Sequence, residues 1–92
     1  MIEVELTDED DPYRLEVTVD EGGSSTRHSV TMKHETYEKL TGDDGADPER
    51  LVEAAFEFLL DREPKESILS SFDITVISRY FPEFESKIGD YL

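Results

Sequence analysis

Seven of the nine aromatic residues fall after Val52, in a stretch punctuated by Pro64 and Pro82. The run Phe56-Glu57-Phe58-Leu59-Leu60-Asp61-Arg62-Glu63-Pro64 continues to Tyr80-Phe81-Pro82-Glu83-Phe84. Large apolar side chains at that density can supply most of a small domain's core. A proline breaks helical continuity at each of its two positions, so this core must be built from short, bent pieces.

The first third of the chain offers the surface to be covered. Ile2, Val4 and Leu6 alternate with Glu3 and Glu5. Tyr13, Leu15, Val17 and Val19 alternate with Arg14, Glu16, Thr18 and Asp20, and His28, Val30 and Met32 with Arg27, Ser29, Thr31 and Lys33. Period-two alternation marks half-buried strands. The acidic, proline-ended stretch Thr7–Pro12 and the segment Glu21-Gly22-Gly23-Ser24-Ser25 read as the turns between them. Three strands with one apolar face each predict an antiparallel meander.

Helices provide the cover. Glu35–Leu40 is a short helix stopped at Gly42. Asp47-Pro48-Glu49 combines an Asp cap, a proline at the first helical position and an acid in the first turn. The helix it starts carries Leu51, Val52, Ala55, Phe56, Phe58, Leu59 and Leu60 and is expected to end near Glu63. Pro64 opens another short helix, with Ile68 and Leu69 facing inward. Ile74–Phe81 suits either state; Asp73 as a cap and Pro82 beyond favour helix over strand. A last helix follows Pro82, with Phe84, Ile88 and Tyr91 on one face. The predicted fold is α+β in a single domain, residues 1–92: a three-stranded antiparallel β-meander in residues 1–33, then three or four helices in residues 34–92 packed on one face.

Charge narrows the function. The chain holds 24 acids and 9 bases, a net charge of -15. Such a field attracts cations and repels phosphates, which argues against direct nucleic-acid binding because that needs basic residues to displace counterions. The absence of cysteine removes disulfides, thiolate zinc sites and cysteine nucleophiles. No apolar run approaches the roughly 20 residues that span a bilayer, and Met1–Leu6 lacks the pattern of a secretory signal. The expectation is a cytoplasmic protein with no membrane association. The acidity itself has two readings, solubility or salt adaptation on one side and a surface for a basic partner on the other.

Catalytic and metal-binding patterns are missing. His28 and His34 on one strand would stand roughly 20 Å apart, too far to share an ion. No serine lies in a Gly-x-Ser-x-Gly elbow. Asp43-Asp44-Gly45-Ala46-Asp47 resembles part of a calcium loop without its distal bidentate glutamate, so specific calcium binding is not expected. No metal, cofactor or catalytic residue is assigned.

Two surfaces qualify as partner sites. Glu49, Glu53, Glu57 and Asp61 recur every fourth residue, placing neighbours about 5–6 Å apart on one helix face. This ridge is either an ordinary solvated face or a docking ridge for a basic partner, with Arg50 and Arg62 offsetting only its ends. Arg79, Tyr80 and Phe81 form a possible aromatic interface, since Tyr and Arg are frequent interface anchors. The bland alternative there is core packing around a proline bend.

Two resemblances follow from longer segments. Arg27-His28-Ser29-Val30-Thr31-Met32-Lys33, a short helix, a glycine turn and the helix from Pro48 to Arg62 resemble the ribbon-helix-helix repressors. That likeness would place Arg27, Ser29, Thr31 and Lys33 toward a DNA groove, though two strands precede the ribbon here and Asp47 stands where an uncharged cap would approach phosphate. Phe58-Leu59-Leu60-Asp61-Arg62-Glu63-Pro64 with Ser67-Ile68-Leu69, Phe72-Asp73 and Tyr80-Phe81-Pro82-Glu83 is similar to a family of small uncharacterised prokaryotic proteins. It implies a prokaryotic stand-alone domain and carries no activity with it. The function expected from the sequence is a small acidic interaction or regulatory module without catalysis, acting on a protein partner through its acidic or aromatic surface; the oligomeric state stays open. The alternative is an acidic mimic of nucleic acid that inhibits a basic DNA- or RNA-binding protein.

Overall fold

The computed structural model describes residues 1–42 and 45–92. All three expected strands form: β1 (Ile2–Asp8), β2 (Tyr13–Glu21) and β3 (Ser24–Met32). They pair antiparallel in sequence order, with Val4 opposite Val17 and Leu15 opposite Val30. Alternation does what the pattern requires. Leu15, Val17, Val19, Val30 and Met32 are buried on one face, while Glu3, Glu5, Arg14 and Arg27 on the other stay exposed. The β2–β3 turn is tighter than the five residues expected from sequence. Glu21 pairs with Ser24, leaving only Gly22 and Gly23 between the strands, at φ of 66° and 80°. Positive φ at both central positions suits the right-handed twist of a two-residue hairpin, and glycine reaches it without steric cost.

Helix α1 (His34–Thr41) stops at Gly42, as its sequence predicts. Helix α2 (Pro48–Leu60) begins under the Asp47 cap, whose Oδ1 accepts the Arg50 amide at 2.8 Å. It buries Leu51, Val52, Ala54, Ala55, Phe56, Phe58 and Leu59, a stripe wide enough to meet the sheet on one side and later helices on the other. The helix ends at Leu60 rather than near Glu63. The amides of Arg62 and Glu63 both return to the Leu59 carbonyl at 2.9 Å, so a tight turn takes up the residues before Pro64.

Past Pro64 the structure departs from a pure meander. A 3₁₀ turn (Lys65–Ser67) leads into β4 (Ser71–Asp73), which joins the far side of β3 in parallel. The sheet is therefore mixed and four-stranded, in the order β1-β2-β3-β4. Three residues are too few to display a period-two pattern, which is why this strand is invisible in the sequence. Helix α3 (Val76–Tyr80) occupies the ambiguous segment, preceded by a turn at Ile74 and Thr75. Asp73 belongs to β4 and its carboxylate takes the Thr75 amide at 3.1 Å, one turn ahead of the helix it was expected to cap. Helix α4 (Phe84–Lys87) runs into a closing 3₁₀ turn (Ile88–Tyr91), with Phe84 and Ile88 buried. Along β3, Ser29–Thr31 have both edges paired, which leaves that part no free edge for ribbon pairing with a second copy. No helix among the described residues is long and apolar enough to cross a membrane.

One continuous hydrophobic cluster joins the sheet to every helix that follows it. Phe56 sits at its centre, fully buried, with ring centroids 5.3 Å from His28 and 6.1 Å from Phe72. Truncating it removes a transfer contribution and leaves a void. Phe56→Ala is expected to lower stability by about 3–5 kcal/mol in urea unfolding.

Candidate functional site

The segment from Leu69 to Thr75 is held to the sheet by contacts far apart in sequence. His28 lies on the inner face of β3, 3% exposed. Its Nδ1 stands 2.7 Å from the Leu69 carbonyl and its Nε2 2.8 Å from the Thr26 hydroxyl. One tautomer satisfies both: Nδ1–H donates to the carbonyl and Nε2 accepts from the hydroxyl. The Ser29 amide donates to Ser70 at 2.8 Å and the Ile74 amide to Thr31 at 2.9 Å. The Thr31 hydroxyl donates to Asp73 Oδ1, also at 2.8 Å. Burial alone would push the Asp73 carboxyl up, but the Thr75 hydroxyl and amide, the Thr31 hydroxyl and nearby Lys33 outweigh it and hold the group below its ordinary range.

This pinned segment forms one wall of an apolar groove of about 360 Å³. Leu59, Ile68 and Ile77 are buried at its base, with Phe72 of β4 beside them. Phe81 contributes to the lining while its ring meets Phe58 edge-on at 5.9 Å. At the rim stand Leu69, 47% exposed, and Tyr80, 68% exposed. Apart from Met1 they are the exposed large hydrophobic residues among the described ones. Scattered exposed hydrophobes need no explanation, but two flanking one groove form a contiguous apolar surface.

Among the described residues, Glu63 is the only carboxylate in the lining. Burial pushes its carboxyl above the ordinary glutamate range, and among the described residues no cation pairs with it. A cation delivered to the groove would thus meet an unpaired, partly desolvated acid, where charge interactions exceed those in bulk water.

The residues singled out in the sequence divide unevenly. Tyr80 and Phe81 line the groove, whereas Arg79 is exposed on α3 and lies outside the lining. Glu49, Glu53, Glu57 and Asp61 share a face of α2 and the turn beyond it, but this face is not a bare row of like charges. Arg50 Nη1 reaches Glu53 at 2.8 Å and Glu57 at 3.2 Å, and its other terminal nitrogen donates to the Tyr91 carbonyl. The Tyr91 hydroxyl in turn donates to Asp61. Arg62 stacks on Phe58, 3.6 Å from the ring centroid, and pairs with Glu83 at 3.4 Å. Arg50 therefore serves the middle of the ridge rather than only its end, and the ridge ties α2 to the C-terminal turn. Ion pairs at this exposure contribute only ~0–1 kcal/mol each.

The histidines do not converge. His34 is at the start of α1, its Nε2 beside the carbonyls of Glu9 and Asp10 at 3.1 and 3.2 Å and its ring 4.2 Å from Tyr13. No three or more His, Asp or Glu among the described residues are grouped to hold a metal ion. Within the acidic Asp43–Asp47 loop, Asp43 and Asp44 lie outside the described residues. Sequence reasoning missed Leu69 as a rim residue, reading it as inward, and missed Glu63. The legible clue was Pro64, which bars a helix from running on past Glu63.

Comparison with family models, with curated proteins and with solved structures finds no match.

Two outcomes follow from this geometry. A carboxyl whose folded pKa is raised makes the folded state hold its proton more tightly than the unfolded chain does. Its ionisation therefore lowers stability as pH rises from the ordinary value near 4.3 to the folded one. Glu63→Gln should raise stability at pH 7 relative to wild type and leave it unchanged at pH 3, read by urea unfolding at both pH values. Arg50→Gln removes the cation shared by Glu53 and Glu57 and leaves the two acids facing each other. It should lower the unfolding free energy by about 1 kcal/mol at low salt, with part of the loss shrinking as salt is added.

Proposed function

We propose that this chain is a small acidic interaction module that performs no catalysis of its own and docks an apolar segment with basic residues in the groove between Leu69 and Tyr80. The observation that carries this reading is the groove: two large exposed hydrophobes stand over buried Leu59, Ile68 and Ile77, with one unpaired carboxylate inside. An aromatic or aliphatic anchor filling such a recess, with water excluded around it, is the usual source of interface energy. Glu63 within the groove and a net charge of -15 around it supply the complementarity for a basic partner.

On this reading the docking surface is at Tyr80 and Phe81 rather than at the Glu49–Asp61 ridge. Glu53 and Glu57 in the middle of the ridge are engaged by Arg50, which weakens the ridge's claim as a free anionic strip and with it the nucleic-acid-mimic alternative. An anchor-driven complex differs from a charge-driven one in salt. The Debye length falls to about 3 Å at 1 M salt, so surface charge contacts are lost there while apolar burial persists.

Immobilised wild type, Tyr80→Asp, Leu69→Asp and the Glu53→Lys/Glu57→Lys variant, challenged with the same lysate, separate the two surfaces. The expected result is a partner held by wild type at high salt, weakened at least about tenfold by either groove variant. The ridge variant should retain it within about threefold, the scale of a surface ion pair. Capture that survives both groove variants and fails only with the ridge variant would overturn this assignment.

A further inference from the structure

β4 is the last strand of the sheet, and nothing pairs with its outer side among the described residues. In a ladder, successive residues turn their amide and carbonyl alternately toward and away from the neighbouring strand. The Ser70 carbonyl and the Ile74 amide both bond to β3. Phe72 therefore turns its backbone groups toward β3 as well, and those of Ser71 and Asp73 point outward. The side chains alternate in the other sense. Phe72 faces the groove, while Ser71 and Asp73 lie on the open face of the sheet, where Asp73 receives the Thr31 hydroxyl. An unpaired edge beside an apolar groove is the arrangement to which extended peptides add as an extra strand, with main-chain bonds giving affinity and recesses reading alternate side chains.

The geometry points to a fifth strand: the groove's occupant binds in extended form along the free edge of β4, its backbone pairing with Ser71 and Asp73. Its inward side chains, apolar, drop beside Phe72, Leu69 and Tyr80. Its outward ones, basic, lie along the open face next to Asp73. The inference rests on the groove being the docking surface and adds how the partner binds and what it must look like. The chemistry sets the pattern, apolar and basic residues in alternation, because one face of the added strand meets the groove and the other an anionic carboxylate. At β1, the opposite edge, α2 packs beneath the strand in the place where β4 borders the groove.

The test is a displayed library of random peptides of about ten residues, selected against the full chain, a length that covers a short edge with margin. The expected consensus alternates apolar residues with Lys or Arg. The winning peptide is then synthesised in two forms, N-methylated on one or the other set of alternate amides. Methylation of the set that faces β4 should weaken binding at least tenfold, and methylation of the other set less than about threefold. Amide resonances of Ser71 and Asp73 should shift on binding of the unmodified peptide. Apolar residues recurring at three- and four-residue spacing, or indifference to both methylation patterns, would overturn strand addition while leaving the groove as the site, provided Tyr80→Asp abolishes binding. Peptides that bind Tyr80→Asp as tightly as wild type would overturn the groove itself, and so would a selection that yields no consensus.

Discussion

A chain segment that returns to a strand laid down some forty positions earlier has to be held by more than proximity, and here that grip falls at residues 69–75. The imidazole of His28, sealed against Phe56, bonds the Leu69 carbonyl; backbone bonds at Ser70 and Ile74 and the Thr31–Asp73 contact complete the seam. Each bond is ordinary, of about 1 kcal/mol net. Removing one partner would be costlier than that, because the Leu69 carbonyl would be left without its hydrogen bond in a partly buried place. The position of Leu69, the shape of the groove and the existence of a fourth strand all follow from this seam.

Electrostatics works on a different scale. The chain's negative excess is spread over loops, the open sheet face and α2, and most of it is screened by solvent at physiological salt. Where charges do meet, basic residues are placed to relieve local crowding: Arg50 between two glutamates, Arg62 over Phe58 and beside Glu83. Glu63 stands apart from this pattern because burial opposes its ionisation and, among the described residues, no cation pairs with it. A protein with few bases has spent none of them here.

The strands were legible in the sequence because Ile2 to Met32 alternate cleanly, and α2 because Asp47-Pro48 marks its start and its stripe is long. The Gly22-Gly23 turn was visible as a turn but not in its length, since neighbouring Ser24 and Ser25 look like loop residues and in fact continue β3. β4 was hidden because its pairing partner lies across two helices and its three residues have no periodicity of their own. Leu69 looked like core by type alone; its backbone is tied down by His28 while its side chain is turned out. Tyr80 and Phe81 were noticed as an aromatic surface, but the recess they border depends on how residues 59–77 fold back, which no local pattern encodes.

The mixed topology also bears on the order in which the molecule assembles. The β2–β3 hairpin closes over two residues, whereas β3 meets β4 only after α1 and α2 have been traversed. Each doubling of the chain to be closed adds about 0.6 kcal/mol of entropy cost, and non-local pairing slows folding. Three paired residues repay little of it. Within the sheet, the β3–β4 pairing is thus expected to form after the β2–β3 hairpin and to open before it. Amide hydrogens there would exchange sooner than those of β2, although both belong to one sheet. The wall of the groove thus hangs on the shortest pairing of the sheet, at a distance in sequence from the hairpins behind it.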